Sequence, residues 1–219
     1  MQYCARQYGA ATKDFRKRHA AVYDGLVSEG GFMSAVRPAR LEDAKAIARI
    51  EVDTWRSTYA GMLPDRVLVN MSERRQTSSW ASFLRHRPDD VCVAQAGGAV
   101  VGFGNCGTQR DNTIRFAGEV YTLYVSQDRQ SQGFGRAMLL ALFQRLVGTG
   151  HASALVWVVR ANPARFFYER LGGQQIMHRP IPVGGQPVDA IAYGWRDLAA
   201  VLTRTAQSGD GLTGDPPLH

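Results

Sequence analysis

One segment constrains this chain more than any other. A strand-like run at residues 120–125 is followed by a turn that contains Gly133 and Gly135, and then by a helix-like run at residues 136–147. Helix starts carry unpaired N–H groups and the positive end of the helix dipole, so they bind phosphate groups. Glycine lets the backbone approach an anion without an intervening Cβ. The segment therefore predicts a strand–loop–helix unit that binds a phosphate.

Two common nucleotide sites do not fit this loop. A P-loop requires Gly-Lys-Ser/Thr, but Gly135 is followed by Arg136 and Ala137, which leaves no hydroxyl group for magnesium. A dinucleotide-binding loop requires a third small residue in G-x-G-x-x-G/A, and the large Met138 stands there. From the loop alone, a plain strand–turn–helix whose glycines only relieve steric crowding stays open.

Two motifs together point to a family. Residues 130–135 read Gln-Ser-Gln-Gly-Phe-Gly, which resembles the pyrophosphate loop, Gln/Arg-x-x-Gly-x-Gly/Ala, of the GNAT superfamily of N-acetyltransferases. Residues 162–173 are similar to the second motif of that family, Asn-x-x-Ala/Arg-x-x-x-Tyr-Glu-x-x-Gly-Phe. The final Phe of that motif is Gly173 here, a departure that we expect to affect packing more than chemistry.

The resemblance implies a site for acetyl-CoA that needs no metal. Backbone groups of the strand before the loop would pair with the pantetheine arm, loop N–H groups would bind the pyrophosphate, and an asparagine would meet the arm or its thiol end. Several charge-assisted hydrogen bonds of roughly 1.5–3 kcal/mol each are enough to hold such a ligand. The implied cofactor-binding residues are Leu123, Tyr124, Val125, Gln130, Ser131, Gln132, Gly133, Phe134, Gly135, Arg136 and Asn162.

The implied reaction is transfer of an acetyl group from a thioester to a primary amine by direct attack. Deprotonating a lysine-like amine of pKa about 10.4 at pH 7 costs roughly 4–5 kcal/mol, whereas an α-amine costs only about 1 kcal/mol. The need for a base therefore depends on the acceptor. Glu119 is the candidate base, since histone-acetylating members of the family carry a glutamate at this distance before the loop. A carboxylate that faces solvent or pairs with an arginine is the alternative.

The leaving thiolate needs a proton, and Tyr168 occupies the position of the family's tyrosine, so it is the candidate acid. The alternative is a packing tyrosine on an apolar helix face with Phe166 and Phe167. Cys106 could carry the acyl group, but no histidine lies near it in sequence, and a buried strand thiol is the favoured interpretation.

The acceptor side is harder to predict. Residues 55–65 resemble the W-x-x-x-Y-x-G-x-x-P segment of many bacterial members, and Tyr59 and Asp65 are the candidates for substrate contact. The acceptor is expected to be a small-molecule or peptide amine, but its identity stays open. The alternative function is a non-catalytic acyl-CoA-binding regulatory module.

The composition limits the partners and the cellular compartment that we expect for this protein. The chain has 219 residues and a formal net charge of +7, but its basic residues are scattered, which disfavours a nucleic-acid partner. No apolar run reaches transmembrane length, and the start of the chain lacks the apolar region of a secretory signal. Because the three cysteines show no disulfide or metal spacing, we expect a cytoplasmic protein. Whether it forms a homodimer stays open.

We expect one α/β (α+β) domain at residues 33–203. It would have a mixed, mostly antiparallel sheet flanked by helices, and the resemblance implies that this sheet is splayed in the middle. Residues 1–32 are expected to be a helical or disordered N-terminal extension. Residues 204–219 are expected to be a disordered tail because of their polar, Gly- and Pro-rich composition.

Overall fold

The computed structural model describes residues 34–111 and 113–208, so the expected N-terminal extension lies outside the described residues. Within these two ranges, seven strands and six α-helices make up the fold. The strands are β1 Ser34–Pro38, β2 Val91–Ala96, β3 Ala99–Thr108, β4 Gly118–Val125, β5 Ala154–Val159, β6 Gln174–Val183 and β7 Gln186–Trp195. The helices are α1 Ala44–Thr58, α2 Asp65–Val69, α3 Glu73–His86, α4 Phe134–Gly148, α5 Ala164–Arg170 and α6 Leu198–Ser208.

The strands form one open sheet in the order β1-β2-β3-β4-β5-β7-β6. Every neighbouring pair is antiparallel except β4 and β5. This parallel pairing extends only from Gly118 opposite Ala154 to Val120 opposite Val156. Beyond it, β4 pairs only with β3 and β5 pairs only with β7, so a gap opens between the carboxyl-terminal halves of β4 and β5. The mixed sheet that is splayed in the middle is thus confirmed.

Small residues on β3 make room for the large side chains of α4. A Cβ at Gly102 would lie 2.8 Å from the Cε of Met138, and one at Gly104 would lie 2.9 Å from the Cδ1 of Leu142. Because such distances are too short for real Cβ contacts, the two glycines let α4 lie close to the sheet. The bulk of Met138, which excluded a dinucleotide loop, is therefore used in the core, where its side chain is fully buried.

Three apolar clusters hold the elements together. One packs α4 and α6 against one face of the sheet, and a second packs α1 and α3 against β2 and β3. The third is small and joins the region around α2 to β5, β6 and β7, across the gap. Its members are Leu63, Leu68 and Val188, with Trp55, Tyr59, Val159 and Val183 packed against them.

One boundary differs from the expectations. Helix α6 continues to Ser208, so the fold extends past residue 203, and the expected disorder is wrong for residues 204–208. Val201 of this helix is only 9 % exposed and Leu202 packs against the α4 cluster, which explains why the chain stays helical there. The Gly- and Pro-rich residues 209–219 lie outside the described part. No helix in the described ranges is long and apolar enough to cross a membrane.

Candidate functional site

The loop between β4 and α4 has an unusual backbone. Ser131 has a φ of 60° and is the one non-glycine residue with positive φ in the described part of the chain. Gly133 has a φ of 84°, and a Cβ placed on it would meet nothing within 4 Å. A left-handed serine costs free energy, and such strain concentrates at binding sites. The loop is therefore held in a shape that local energetics alone would not favour.

This shape leaves a row of backbone donors without protein partners. The first hydrogen bond of α4 runs from the N–H of Ala137 to the carbonyl of Gly133, at 3.0 Å. The preceding N–H groups therefore lack intrahelical acceptors, and within the described residues no other acceptor takes them. These unpaired donors belong to Gln132, Gly133, Phe134, Gly135 and Arg136. They can bind an anion, as the sequence predicted.

Side chains of the loop fold back on the loop itself. The Nε2 of Gln130 donates to the carbonyl of Val125 at 3.3 Å, and the Nε2 of Gln132 donates to the carbonyl of Asp128 at 3.2 Å. Both side chains thus support the loop. A Cβ at Gly135 would lie 3.4 Å from the ring of Phe167, so the first turn of α4 leaves little space beside α5.

The three strand residues predicted to meet the pantetheine arm border the gap. Leu123, Tyr124 and Val125 are partly buried, and they pair with Gly104, Phe103 and Gly102 of β3. Their other side faces β5, where the pairing has already ended. Backbone groups of this half of β4 are therefore available to a ligand in the gap.

Asn162 follows β5 and lies two residues before the start of α5. It is 5 % exposed, and its Oδ1 accepts a hydrogen bond from the N–H of Ala164 at 2.9 Å, which is the capping contact expected of an asparagine before a helix. At the other end of α5, a Cβ at Gly173 would lie 2.8 Å from the Cζ2 of Trp195. The indole of Trp195 therefore fills the space that a side chain at Gly173 would need, so the departure from the family motif is one of packing.

Tyr168 lies on α5 and is 6 % exposed. Its ring contacts those of Phe167, Tyr193 and Trp195, while its hydroxyl group has no hydrogen-bond partner among the described residues. Burial and, to a lesser extent, the nearby Tyr59 raise the pKa of Tyr168 well above its ordinary value. The ring is thus a packing element, and the hydroxyl group stays protonated.

Tyr59 links the two sides of the gap. Its side chain lies near those of Tyr124, on β4, and Asn162, after β5. Burial raises the pKa of Tyr59, and these two neighbouring side chains oppose the effect. The hydroxyl group of Tyr124 also accepts a hydrogen bond from the Nε1 of Trp55 at 3.1 Å. The sequence had assigned only backbone groups of Tyr124 to the site and had missed its side chain.

Glu119 lies elsewhere, in the paired part of β4 opposite Leu155. It is 3 % exposed, and its Oε1 lies 2.5 Å from the Nη2 of Arg110. Its Oε2 accepts hydrogen bonds from the Nε and the backbone N–H of Arg110, both at 3.2 Å. The structure thus gives Glu119 the arginine partner that the sequence analysis named as the alternative to a catalytic base.

A buried carboxylate that the sequence analysis missed lies on α1. The Oε2 of Glu51 accepts hydrogen bonds from the Nε1 of Trp80 and the Nε2 of Gln76, both at 2.8 Å. Burial raises the pKa of Glu51. Its position one helical turn before Trp55 is readable from the sequence, but its burial depends on where α3 packs.

An open cleft of about 990 Å³ lies beside the third apolar cluster. It is bordered by residues 61–66, by residues 159–161 and by the start of β7. Asp65, the first residue of α2, is exposed on its rim. Asp189, which also lines the cleft, accepts hydrogen bonds from His178 and, at 3.3 Å, from the Nη1 of Arg160. Arg66, Arg160 and Arg165 line the cleft as well, so it presents charged groups of both signs, with Asp65 as an exposed carboxylate at the rim.

Neither a metal site nor a reactive thiol is apparent in the described ranges. Within them, no three His, Cys, Asp or Glu side chains cluster as metal ligands would. Cys92 and Cys106 are buried, and their sulfur atoms contact carbonyl oxygens of α4 at 3.9 and 3.7 Å. Burial raises the pKa of Cys92 to about 12 and that of Cys106 well above its ordinary value. Both thiols are therefore structural, as predicted for Cys106.

Comparison with known proteins adds independent information. Residues 47–173 match the model of the acetyltransferase (GNAT) family. The uncharacterized N-acetyltransferase YuaI of Bacillus subtilis (strain 168) is 34 % identical over 172 residues, which cover 78 % of this chain and 98 % of that protein.

Solved structures agree with this match. An N-acetyltransferase from Staphylococcus aureus Mu50 superposes with a TM-score of 0.61 at 18 % identity, and covers 75 % of this chain and 98 % of its own. The putative acetyltransferase yncA from Salmonella typhimurium, solved with its cofactor acetyl-CoA, gives a TM-score of 0.59 at 21 % identity over 75 % of this chain and 94 % of its own. At these identities, the likeness shows a shared fold.

Proposed function

This chain belongs to the acetyltransferase (GNAT) family, and we propose that it moves an acetyl group from acetyl-CoA to a primary amine by direct attack. One observation carries the proposal: the unpaired N–H groups at the start of α4 lie next to the gap between β4 and β5. An anion-binding loop beside an unpaired strand edge suits a ligand with a pyrophosphate at one end and an amide-rich arm at the other.

Acetyl-CoA would bind through the two parts that can form hydrogen bonds with backbone groups, its pyrophosphate and its pantetheine arm. The pyrophosphate would accept hydrogen bonds from the N–H groups of residues 132–136, and the amides of the pantetheine arm would pair with residues 123–125. Support comes from the acetyl-CoA in the yncA structure, since that protein has the same fold. Each charge-assisted hydrogen bond contributes about 1.5–3 kcal/mol, so the proposal requires no metal.

The chemistry needs a neutral amine and a protonated leaving group. The neutral amine nitrogen attacks the thioester carbon and the carbonyl electron pair moves to oxygen. The nitrogen then loses a proton to solvent, and the C=O bond forms again as the C–S bond breaks with its electron pair on sulfur. We assign to Tyr168 the donation of a proton to this thiolate. Its raised pKa keeps the hydroxyl group protonated, and transfer requires direct contact between the hydroxyl group and sulfur.

Glu119 stays the candidate base only for acceptors that are strongly basic. Removing it from Arg110 would break an ion pair in which the carboxylate is almost fully buried, and this cost argues against a catalytic role. An α-amine needs about 1 kcal/mol for deprotonation at pH 7, so it reacts without a dedicated base. We therefore propose the cleft lined by Asp65 and Asp189 as the acceptor site, where the ammonium form is captured before it loses a proton.

The test is a panel of primary amines incubated with acetyl-CoA and the full chain. Release of free CoA is followed with a thiol reagent, and the acetylated amine is identified by mass spectrometry. We expect at least one amine to release CoA faster than hydrolysis does without an amine. Tight binding of acetyl-CoA with no amine-dependent release across peptide, lysine, polyamine, aminoglycoside and amino-acid-like acceptors would favour the non-catalytic acyl-CoA-binding module.

A further inference from the structure

The open cleft at the end of β5 carries more positive than negative charge. Arg66, Arg160 and Arg165 line it together with Asp65 and Asp189. An acceptor that carries only amino groups arrives as a cation, and a site for such a ligand is expected to be acidic. The excess of one positive charge therefore points to a second, negatively charged group on the acceptor.

Two of the three arginines already have partners inside the protein. The Nη1 of Arg160 lies 3.3 Å from the Oδ2 of Asp189, and both side chains are exposed. The Nη2 of Arg66 donates to the carbonyl of Gly184 at 3.1 Å. These contacts connect the walls of the cleft to one another, so we assign both arginines to its structure.

Arg165 differs from the other two. It is partly buried in the first turn of α5, and its Cζ lies 4.3 Å from the centre of the Phe166 ring. Among the described residues, no oxygen accepts a hydrogen bond from its side chain. Glu169, one helical turn further on, accepts a hydrogen bond from Tyr193 instead, at 2.5 Å. Because stacking uses the face of the guanidinium group, the N–H donors in its plane stay available to a ligand.

Asp65 is the complementary group on the opposite wall. It is exposed at the rim of the cleft, and it has no hydrogen-bond partner in the part of the chain that the structure describes. The cleft thus presents one carboxylate and one guanidinium group that are both free to bind a ligand. A molecule with one ammonium group and one carboxylate would satisfy both, since a guanidinium group binds a carboxylate through two parallel hydrogen bonds.

The position of Arg165 places it on the acceptor side. Val159, the last residue of β5, lines the same cleft, whereas no residue of the loop at 130–136 does. Arg165 also lies three residues before Tyr168 on α5, and side chains three apart on a helix are neighbours. An acceptor held by Arg165 would therefore lie beside the candidate acid and away from the groups assigned to the pyrophosphate.

We propose that the acceptor is a small primary amine that also carries a carboxylate, as an amino acid does, and that Arg165 binds this carboxylate while Asp65 attracts the ammonium group. The inference rests on the proposed acetyltransferase function and names its acceptor class. Free amino acids and short peptides share the required chemistry, and the cleft of about 990 Å³ has room for either. Polyamines and aminoglycosides carry only positive charge and do not fit.

The kinetic test compares matched amines: each amino acid, its carboxamide, and a dipeptide with the same first residue. Values of kcat/KM are expressed per neutral amine, because a nearby carboxylate raises the pKa of the amino group. We expect the wild type to prefer one of the carboxylate-bearing forms over the carboxamide by at least about 10-fold. The faster of the two, amino acid or dipeptide, identifies the source of the carboxylate.

Arg165→Gln is the decisive variant. It should lower kcat/KM for the preferred carboxylate-bearing amine about 10- to 100-fold, mainly through KM, and leave the value for the carboxamide unchanged. Arg165→Lys should lie in between, since it keeps the charge and loses the paired donors. Because the same two amines are compared in every variant, differences in their intrinsic reactivity cancel. The matched control is Arg170→Gln on the same helix, whose Nε donates to the carbonyl of Phe166 at 3.4 Å outside the cleft, and it should change neither value.

A binding experiment tests the same inference without catalysis. The full chain, saturated with CoA so that no acetyl group can be transferred, is titrated calorimetrically with the same amino acids and dipeptides, their carboxamides and phosphoethanolamine. A carboxylate-bearing amine should bind most tightly, and its affinity should fall at least about 10-fold in Arg165→Gln and stay the same in Arg170→Gln. The affinity for acetyl-CoA should be equal in all three proteins.

Several outcomes would overturn the inference and leave the acetyltransferase function intact. They are a wild type that acetylates carboxamides or polyamines as fast as the carboxylate-bearing amines, equal losses for acid and carboxamide in Arg165→Gln, and tighter binding of phosphoethanolamine. A loss of acetyl-CoA affinity in Arg165→Gln would likewise overturn it, because Arg165 would then bind a phosphate of the cofactor.

The opposite result is distinguishable. A wild type that binds amino acids in an Arg165-dependent way, yet releases no CoA with any amine, would refute the transferase function and keep the carboxylate site. A wild type that neither releases CoA nor binds a carboxylate-bearing amine would refute both.

Discussion

The donor side and the acceptor side of this site are built in opposite ways. The donor side, defined as residues 123–136, is one continuous stretch of chain. Its binding groups are backbone N–H groups at the start of α4 and the unpaired edge of β4. Such groups are placed by secondary structure, so a strand, a turn with the right glycines and a helix are sufficient to form it.

The acceptor side, defined as the cleft with Asp65 and Asp189 together with Tyr59, uses side chains from separate elements. Asp65 begins α2, Asp189 lies on β7 and Tyr59 follows α1. The cleft is further tied together where the Nη2 of Arg66 donates to the carbonyl of Gly184 at 3.1 Å. Its shape therefore depends on how α2 packs against the β6–β7 hairpin.

This difference indicates that the acceptor side can change in sequence while the donor side stays the same. Changes in α2 or in the β6–β7 hairpin alter the acceptor cleft without touching the loop that holds the donor. The two sides meet where the side chains of Tyr59, Tyr124 and Asn162 lie near one another. If the comparison is right, mutations on the donor side remove binding of acetyl-CoA, and mutations on the acceptor side change only the use of the amine.

The largest effect is expected for Gly135→Glu. The new side chain would put a carboxylate beside the unpaired N–H groups and its Cβ against Phe167. We expect the affinity for acetyl-CoA to fall by at least about 100-fold, or about 2.8 kcal/mol, as measured by calorimetric titration. Gly148→Glu at the other end of α4 is the control for added charge, and it should bind normally. Equal titration curves for Gly135→Glu and the wild type would show that the pyrophosphate binds elsewhere.

A second test separates chemistry from donor binding. Tyr168→Phe should lower kcat about 10²-fold, as expected for loss of a general acid, without weakening the binding of acetyl-CoA. Stability should change little, because no described residue is hydrogen-bonded to the lost hydroxyl group.

Tyr193→Phe is the matched control for Tyr168→Phe. Its hydroxyl group donates to the Oε1 of Glu169 at 2.5 Å, so its loss should cost about 1 kcal/mol of unfolding free energy and leave kcat unchanged. Unchanged turnover of Tyr168→Phe, under conditions where chemistry limits the rate, would reduce Tyr168 to a packing residue.

The same contrast explains what could be predicted from the sequence. The mixed sheet follows from local patterns, its splay follows from the resemblance carried by two motifs, and the structure has both. The extent of helix α6 was not expected, because its stability depends on packing of Val201 and Leu202 against the α4 cluster. Local sequence patterns are thus sufficient to predict the parts of the structure that depend on backbone groups. They are not sufficient to predict the parts that depend on tertiary packing.

The partners of these side chains could not be predicted from the sequence, for a related reason. Tyr59, Tyr124 and Asn162 are far apart in the chain, yet their side chains lie near one another in the fold. Glu119 had several arginines as candidate partners, and the turn after β3 selects Arg110. The bulk of Trp195 likewise explains Gly173 only after β7 is in place. Each of these contacts depends on the packed fold rather than on a spacing.

The smallest effect is expected on the acceptor side, for Asp65→Asn. Because Asp65 is exposed on the rim of the cleft, its attraction for an ammonium ion is weakened by solvent and should be worth about 0.5–1 kcal/mol. The KM for the amine should therefore rise about 2- to 5-fold, with kcat and the affinity for acetyl-CoA unchanged, and the rise should shrink at high salt. Glu42→Gln, which neutralises a carboxylate that is 73 % exposed and does not line the cleft, should leave the KM as it is. A change in acetyl-CoA affinity in Asp65→Asn would break the separation of the two sides, because it would place an acceptor-side carboxylate in contact with the donor.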